Sequence, residues 1–163
     1  DQEDSLSVTV PAGIEDGQTL RLSGQGDLSR EGGSPGNLYV HLEVEDHEHL
    51  VRQGPDLFIE VPISYPMAAL GGTISVPVLK GETEVEVAPG TQPGDVNVLR
   101  GAGIKRLDGP GKGNQVIRFQ LAVPRKVSAK AKELLQDLAQ ELGDPIPERR
   151  GLFSRFQKPR KGR

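Results

Sequence analysis

One pattern occurs twice in this chain of 163 residues, and a constant number of positions separates the two copies. The first copy runs from Val8 to Val44 and the second from Val85 to Leu121, so the offset is 85 − 8 = 77 residues. The matched positions are Val8/Val85, Val10/Val87, Gly13/Gly90, Gly17/Gly94, Leu22/Leu99, Gly24/Gly101, Gly26/Gly103, Gly36/Gly113 and Asn37/Asn114. A repeat with one constant offset predicts two similar subdomains in tandem.

The residues within one copy predict β-strands joined by glycine-containing turns. Val8 and Val10 alternate with polar residues, which is typical of a strand with one buried face. The segment P-A-G at 11–13 then breaks the alternation, because glycine tolerates the positive φ of a tight reversal. Further strands are predicted at 19–23 and 38–44. The repeated unit is therefore predicted to be all-β.

The segment between the two copies continues the strand pattern. Apolar residues alternate from Asp56 to Ile63, with Leu57, Ile59, Val61 and Ile63 predicted to point inward and Phe58 outward. Residues 66–72 predict one short helical turn that glycine ends. Strands are predicted at 73–79 and 82–87.

After Pro124 the apolar period changes from that of a strand to that of a helix. Ser128 can cap a helix whose apolar stripe contains Ala131, Leu134, Leu135, Leu138 and Leu142. Gly143 and the proline two residues later end it. This apolar stripe must be buried against another surface. The sequence leaves two possibilities open for that surface: the chain's own sheet, or the same helix of a second protomer.

Composition excludes several classes of protein. The chain has no cysteine, so it has no disulfide and no zinc site built on thiolates. It contains neither a long apolar run nor a secretory leader. Together with the missing cysteines, this favours a cytoplasmic location, and the matrix or stroma of an organelle is the alternative location. The net charge of −3 argues against a globally basic nucleic-acid binder.

Two local clusters invite functional interpretations. His47 and His49 lie close to acidic residues, but no third ligand is near in sequence, so a solvated turn is favoured over a metal site. The tail from Glu148 to Arg163 interleaves seven basic residues with Leu152, Phe153 and Phe156. A nucleic-acid or anionic-membrane adaptor acting through this tail is the alternative function, whereas a solvated tail is the simpler interpretation.

An enzymatic function is not predicted. No nucleophile and base form a recognisable motif, and Gly111-Lys112-Gly113 lacks the Ser or Thr that follows Lys in a phosphate-binding loop. The glycines also recur at equivalent places in both copies, which a single active site would not require. A non-enzymatic binding module without catalytic residues or a cofactor is therefore predicted.

Several ordered motifs resemble the C-terminal, substrate-binding half of DnaJ-type co-chaperones. They are V-T-V-P-A-G-I-E-D-G-Q-T-L-R-L-S-G-Q-G-D (8–27), G-N-L-Y-V (36–40), G-P-D-L-F-I-E-V-P-I-S (54–64), A-A-L-G-G-T-I-S-V-P-V-L-K-G (68–81), P-G-T-Q-P-G (89–94) and L-R-G-A-G-I (99–104). The likeness extends over residues 6–142, and the tail segment G-L-F-S-R-F (151–156) is also similar to the ends of bacterial and organellar members.

The resemblance implies two β-sandwich-like subdomains followed by a helix that dimerises the molecule. It divides the chain into 1–50, the C-terminal half of subdomain I without its first strands; 51–127, subdomain II; 128–143, the dimerisation helix; and 144–163, a basic tail. Leu134, Leu135, Leu138 and Leu142 would then form the dimer contact. The chain begins without Met and is expected to be a piece of a longer protein, cut after the zinc module of the zinc-containing class.

The resemblance also implies partners and a site. Unfolded polypeptides would be bound and delivered to a DnaK-type ATP-driven chaperone, with no specific nucleic acid and no membrane span involved. Leu50 precedes R-x-G-x-D-L (52–57) and matches a position of the family's client-binding groove, with Leu20 and Leu22 as further candidates. Leu50→Asp is expected to weaken client binding, although simple core packing is the alternative role of Leu50.

Two hallmarks of the full-length family are absent from this sequence. It contains no His-Pro-Asp triplet of the J-domain and no Cys-x-x-Cys-x-Gly-x-Gly repeat, so zinc is expected only in a module outside this chain.

Overall fold

The computed structural model describes residues 5–27, 33–144 and 146 of the chain. Within them, the first copy of the repeat forms an antiparallel pair, β1 (Thr19–Leu22) with β2 (Leu38–His41). The chain divides after Val123 into two compact units, and the second unit carries the C-terminal helix. The predicted domain boundaries at residues 50 and 127 stay predictions.

Six further strands follow β2. They are β3 (Val51–Gln53), β4 (Asp56–Ser64), β5 (Gly72–Pro77), β6 (Glu82–Val87), β7 (Val96–Leu99) and β8 (Gln115–Ala122). Four of them form a sheet in the order β3-β4-β8-β7, in which β4 and β8 are parallel and the other neighbours antiparallel. The strands β5 and β6 form a separate antiparallel hairpin.

The repeat is present in the backbone as well as in the sequence. β7 lies 77 residues after β1, and Thr19 faces His41 in the same register in which Val96 faces Arg118. The turn bond from the Gly17 N–H to the carbonyl of Leu42 recurs from Gly94 to Phe119. The β1–β2 pair of the first copy and the β7–β8 pair of the second copy therefore have the same register and the same turn.

The first copy lacks one strand that the sequence pattern predicted. Val8 and Val10 lie in no strand, whereas their counterparts Val85 and Val87 are buried in β6. The strand prediction at 8–10 was therefore wrong for the described structure. The physical reason is pairing: β6 exchanges hydrogen bonds with β5, and no described strand occupies the equivalent place beside Val8.

The hydrophobic core belongs to the β-sandwich formed by the four-stranded sheet and the β5–β6 hairpin. The predicted inward residues of β4 are confirmed, with Leu57, Ile59 and Ile63 buried and Val61 packed against them. The complete buried apolar set is Leu50, Leu57, Ile59, Ile63, Ala68, Val76, Val85, Val87, Ile117 and Phe119. The all-β fold class with a C-terminal helix is thus confirmed.

Both helices start where the sequence places a capping residue. The Ser64 Oγ accepts the N–H of Met67 at the start of α1 (Tyr65–Leu70), and the Ser128 Oγ accepts the N–H of Ala131 at the start of α2 (Ala129–Glu141). These bonds satisfy backbone donors that the first helical turn leaves free. No residue of α2 is buried.

Candidate functional site

An apolar groove lies where the end of the first copy meets the β-sandwich described above, which we call the second lobe. We call this groove the Leu79 groove. It has a volume of about 570 Å³. Its apolar lining consists of Val44, Leu50, Leu57, Leu79 and Ile104. Val44 is 42% exposed and Leu79 is 49% exposed, so these two side chains present apolar surface that a ligand can cover.

The rim of the Leu79 groove carries four carboxylates. They belong to Glu15 and Asp16, which precede β1, and to Glu45 and Asp46, which follow β2. The Asp16 carboxylate accepts the Val44 N–H at 2.8 Å and so holds the two sides of the rim together. The other three carboxylates form no hydrogen bond among the described residues.

The turn that brings Leu50 into the core is built on His47. Its Nδ1 accepts the backbone N–H groups of His49 and Leu50, at 3.1 and 3.2 Å. The histidine therefore satisfies two donors of the turn. Within the described residues no three His, Cys, Asp or Glu side chains converge as a metal site would require.

Arg52 fixes the position of the first copy against the second lobe. Its guanidinium donates to the carbonyls of Gly54, Ile14 and Gly13, at 2.9, 2.6 and 2.7 Å. Gly13 in turn packs directly against the carbonyl of Lys105 and has no space for a side chain. Because one cation holds three carbonyls, Arg52 orients the loop that carries Glu15 and Asp16.

A second groove follows one side of β4, and we call it the β4 groove. Its volume is about 810 Å³, and its lining includes Val51, Phe58, Val61, Pro62 and Pro77. β3 pairs with β4 only from Asp56 to Phe58, so the rest of that edge of β4 has no strand partner among the described residues. This part of the edge is open to an extended peptide.

The open edge of β4 offers a short run of backbone groups. The Leu57 N–H is bonded to Asn114, the residue before β8, so the alternating backbone groups of Glu60 and Pro62 point away from β8. Proline has no N–H, and Pro62 therefore limits how far a strand can add to this edge. A short extended segment can bond to Glu60 while its side chains contact Phe58 and Val61.

The three predicted client-binding residues are not brought together. Leu50 is only 4% exposed and belongs to the core, although it lines the Leu79 groove from below. Leu20 and Leu22 are half-buried on β1 and do not line that groove. A role of these residues in client binding stays a prediction.

Sequence reasoning did not single out the side chains that expose apolar surface in the grooves. Val44 was predicted at the end of the strand at 38–44, and Leu79 at the end of the strand at 73–79. β2 ends at His41 and β5 at Pro77, so both strands are shorter than predicted, and Val44 and Leu79 lie beyond their ends.

The leucines predicted to dimerise the molecule all lie on one stripe of α2 or at its end. Leu134, Leu135, Leu138 and Leu142 are between 37% and 63% exposed. No described helix is long and apolar enough to cross a membrane. The basic tail, together with the alternative adaptor function assigned to it, lies outside the described residues.

Comparison with known proteins gives consistent matches. Residues 1–124 match the family described as the DnaJ C terminal domain. A "Chaperone protein DnaJ" of Fusobacterium nucleatum subsp. polymorphum is 43% identical over 146 residues, which are 90% of this chain and 37% of that protein. Another "Chaperone protein DnaJ", of Shouchella clausii, is 38% identical over 158 residues, 96% of this chain and 42% of that protein. The chain thus spans about two fifths of the length of these relatives.

Proposed function

The chain belongs to the DnaJ C-terminal domain family, and from this premise we propose that it is the client-binding part of a co-chaperone for unfolded polypeptides. The observation that carries the proposal is the pair of open apolar grooves described above. An unfolded segment exposes apolar side chains and unpaired backbone groups together. The Leu79 groove accepts the side chains, and the β4 groove accepts side chains and backbone.

Binding in one such groove is weak by itself. Each apolar side chain that becomes fully buried contributes about 1.5–3 kcal/mol before the segment's ordering cost is subtracted. A client that reaches two grooves gains from the raised effective concentration of its second contact. Weak and repeated contacts allow clients to be released, which suits the proposed delivery to a DnaK-type ATP-driven chaperone in the full-length protein.

The exposed apolar residues of the Leu79 groove provide the first test. We expect Leu79→Ser and Val44→Ser each to weaken binding of a fluorescent apolar peptide by about tenfold, since each removes roughly 1.4 kcal/mol of apolar contact. Fluorescence anisotropy measures the affinity. Leu70→Ser is the matched control, because Leu70 is 78% exposed and lines neither groove. Equal losses in all three variants would contradict the assignment of the groove.

A homodimer formed through α2 is part of the proposal. Its support is the exposed stripe of leucines, which costs free energy unless another apolar surface covers it. Two chains held together would present twice as many grooves to one client. The helix would then contribute to function without contacting the client.

The dimer has its own test. We expect Leu134→Asp/Leu138→Asp to convert a dimer into a monomer in multi-angle light scattering, because two carboxylates would have to be buried in the contact. Gln136→Asp/Gln140→Asp adds the same two charges to the opposite side of α2 and should leave the mass unchanged. A dimeric Leu134→Asp/Leu138→Asp variant would show that α2 does not form the interface.

A further inference from the structure

We propose that the outer face of the four-stranded sheet β3-β4-β8-β7 packs on the same face of a second copy of this chain. The outer face consists of the residues that alternate along each strand with those buried in the core. This contact is separate from the dimer proposed for α2, and it does not depend on client binding.

One apolar row crosses all four strands of the outer face. Val51 of β3 is directly opposite Phe58 of β4. Phe58 is in turn opposite Val116 of β8, and Val116 is opposite Val98 of β7. Val51 is 61% exposed and Val98 is 46% exposed, whereas Phe58 and Val116 are half-buried. A sheet face in contact with water normally carries polar residues, so a continuous apolar row indicates a surface that covers it.

The repeat shows that the local fold does not require this apolar row. At the offset of 77 residues, the counterpart of Val98 is Arg21 and the counterpart of Val116 is Tyr39. Arg21 and Tyr39 are exposed and directly opposite each other in the pair of β1 and β2. The same pair of strands therefore forms with an arginine in this row, and the valines of the second lobe are not needed for strand pairing.

The neighbouring row of the outer face carries one charge of each sign. Glu60 of β4 and Arg118 of β8 are directly opposite each other, and both are exposed. No ion pair joins them within the part of the chain that the structure describes. Each of the two groups can therefore pair with a charge on another molecule.

A twofold axis makes the apolar row complementary to itself. The axis lies parallel to the strands, midway between β4 and β8 and about 5 Å above the sheet, since packed sheets are about 10 Å apart. It places β4 on β8 of the second copy, and β3 on β7 of the second copy. Phe58 then packs against Val116 of the other copy, and Val51 packs against Val98 of the other copy. Every contact occurs twice, as in any isologous interface.

The same rotation also matches the charges. Glu60 of each copy meets Arg118 of the other, so two ion pairs flank the apolar row. An axis across the strands would instead place Glu60 over the acidic Asp56 of the other copy when the two rows are superposed. Charge complementarity therefore selects the axis that lies along the strands.

The size of the outer face limits the affinity. Its four strands span only about 14 Å, so the contact buries less than the roughly 800 Å² per partner of a standard interface. We expect a dissociation constant on the order of 10⁻⁴ M. Because Phe58 and Val116 also line the β4 groove, association would cover part of that groove at high protein concentration.

Sedimentation equilibrium tests the contact on the full chain carrying Leu134→Asp/Leu138→Asp, so that α2 does not contribute to the association. We expect the mean mass to rise from about one chain at roughly 10 μM to almost two chains at roughly 1 mM. A mass that stays at one chain over this range would overturn the inference.

Charge reversal tests the geometry of the contact. On the same background, Glu60→Arg places like charges opposite each other across the interface, and Arg118→Glu does so with the opposite sign. Each variant alone should associate at least about tenfold more weakly. An equal mixture of the two variants should regain the association of the parent chain, because each contact then joins an arginine to a glutamate. A change within one folded chain cannot produce that recovery.

Further variants complete the test. Glu84→Arg reverses a charge at an exposed position of β6, which is not part of the outer face, and should leave the association unchanged. Val98→Ser changes no charge and should weaken the association about tenfold, which keeps the test valid if thermal unfolding shows that a charge variant is unfolded. Equal weakening by Glu84→Arg would overturn the inference, as would a mixture of folded variants that associates no better than its components.

Discussion

Leu50→Asp is expected to unfold the second lobe rather than to remove a single client contact. The side chain is 4% exposed and lies in the core cluster with Leu57 and Ile59. An ionised carboxylate at this position would have no partner, and burying it costs several kcal/mol, a large part of the total stability of a small domain, which is about 5–15 kcal/mol. Urea denaturation followed by circular dichroism measures the loss.

The outcome determines how a binding defect at position 50 is understood. Leu50→Met keeps volume and apolarity and should cost less than about 1.5 kcal/mol, so it serves as the matched control. If Leu50→Asp folded with unchanged stability but bound peptide poorly, the side chain would be a direct client contact and the core assignment would be wrong. A parallel loss of stability and binding would instead identify packing as its role.

Gly113→Ala should destabilise the protein by about 3 kcal/mol or more, because its added methyl group has no free volume. A Cβ atom at Gly113 would collide with the carbonyl group of Pro55 and lie 2.7 Å from the Asp56 Oδ1. Neither neighbour moves easily, since the Pro55 carbonyl accepts the Ile104 N–H at 2.8 Å and the Asp56 Oδ1 accepts the Asn114 N–H at 2.7 Å. Thermal unfolding measures the effect.

The repeat supplies the control for this substitution. Gly36 is the counterpart of Gly113 in the first copy, yet a Cβ there would meet only the carbonyl oxygen of Asp27, at an ordinary distance of 3.7 Å. Gly36→Ala should therefore change the free energy of unfolding by less than about 1 kcal/mol. Comparable losses at both positions would show that the glycines serve the turn of each copy rather than the close approach of Pro55.

The difference between these two glycines shows that the sequence repeat does not predict which glycine is sterically constrained. The offset of 77 residues identifies Gly36 and Gly113 as equivalent, and their backbone bonds are indeed equivalent. The constraint on Gly113 comes from Pro55, a residue 58 positions away that belongs to no copy of the repeat. No local pattern contains that contact. The same holds for Gly13, which packs against Lys105.

The candidate site likewise combines a residue that the sequence identified with contacts that only the structure shows. The family resemblance identified Leu50, and the structure places it beneath a groove, but the exposed apolar side chains there are those of Val44 and Leu79. Alternation along a strand predicts which residues point to one side. It does not predict where pairing ends, and both residues lie just past the last paired residue of their strands.

The order of residues alone determined the tandem repeat, the inward row of β4, the capped start of α2 and the family. All of these depend on contacts between residues close in sequence, or on a period that the chain itself displays. Tertiary structure decided which strands pair, that Val8 and Val10 lie in none, and that four acidic residues from two separate segments line one apolar groove. Those features arise from contacts between distant segments, whose free energy depends on the position of the whole backbone.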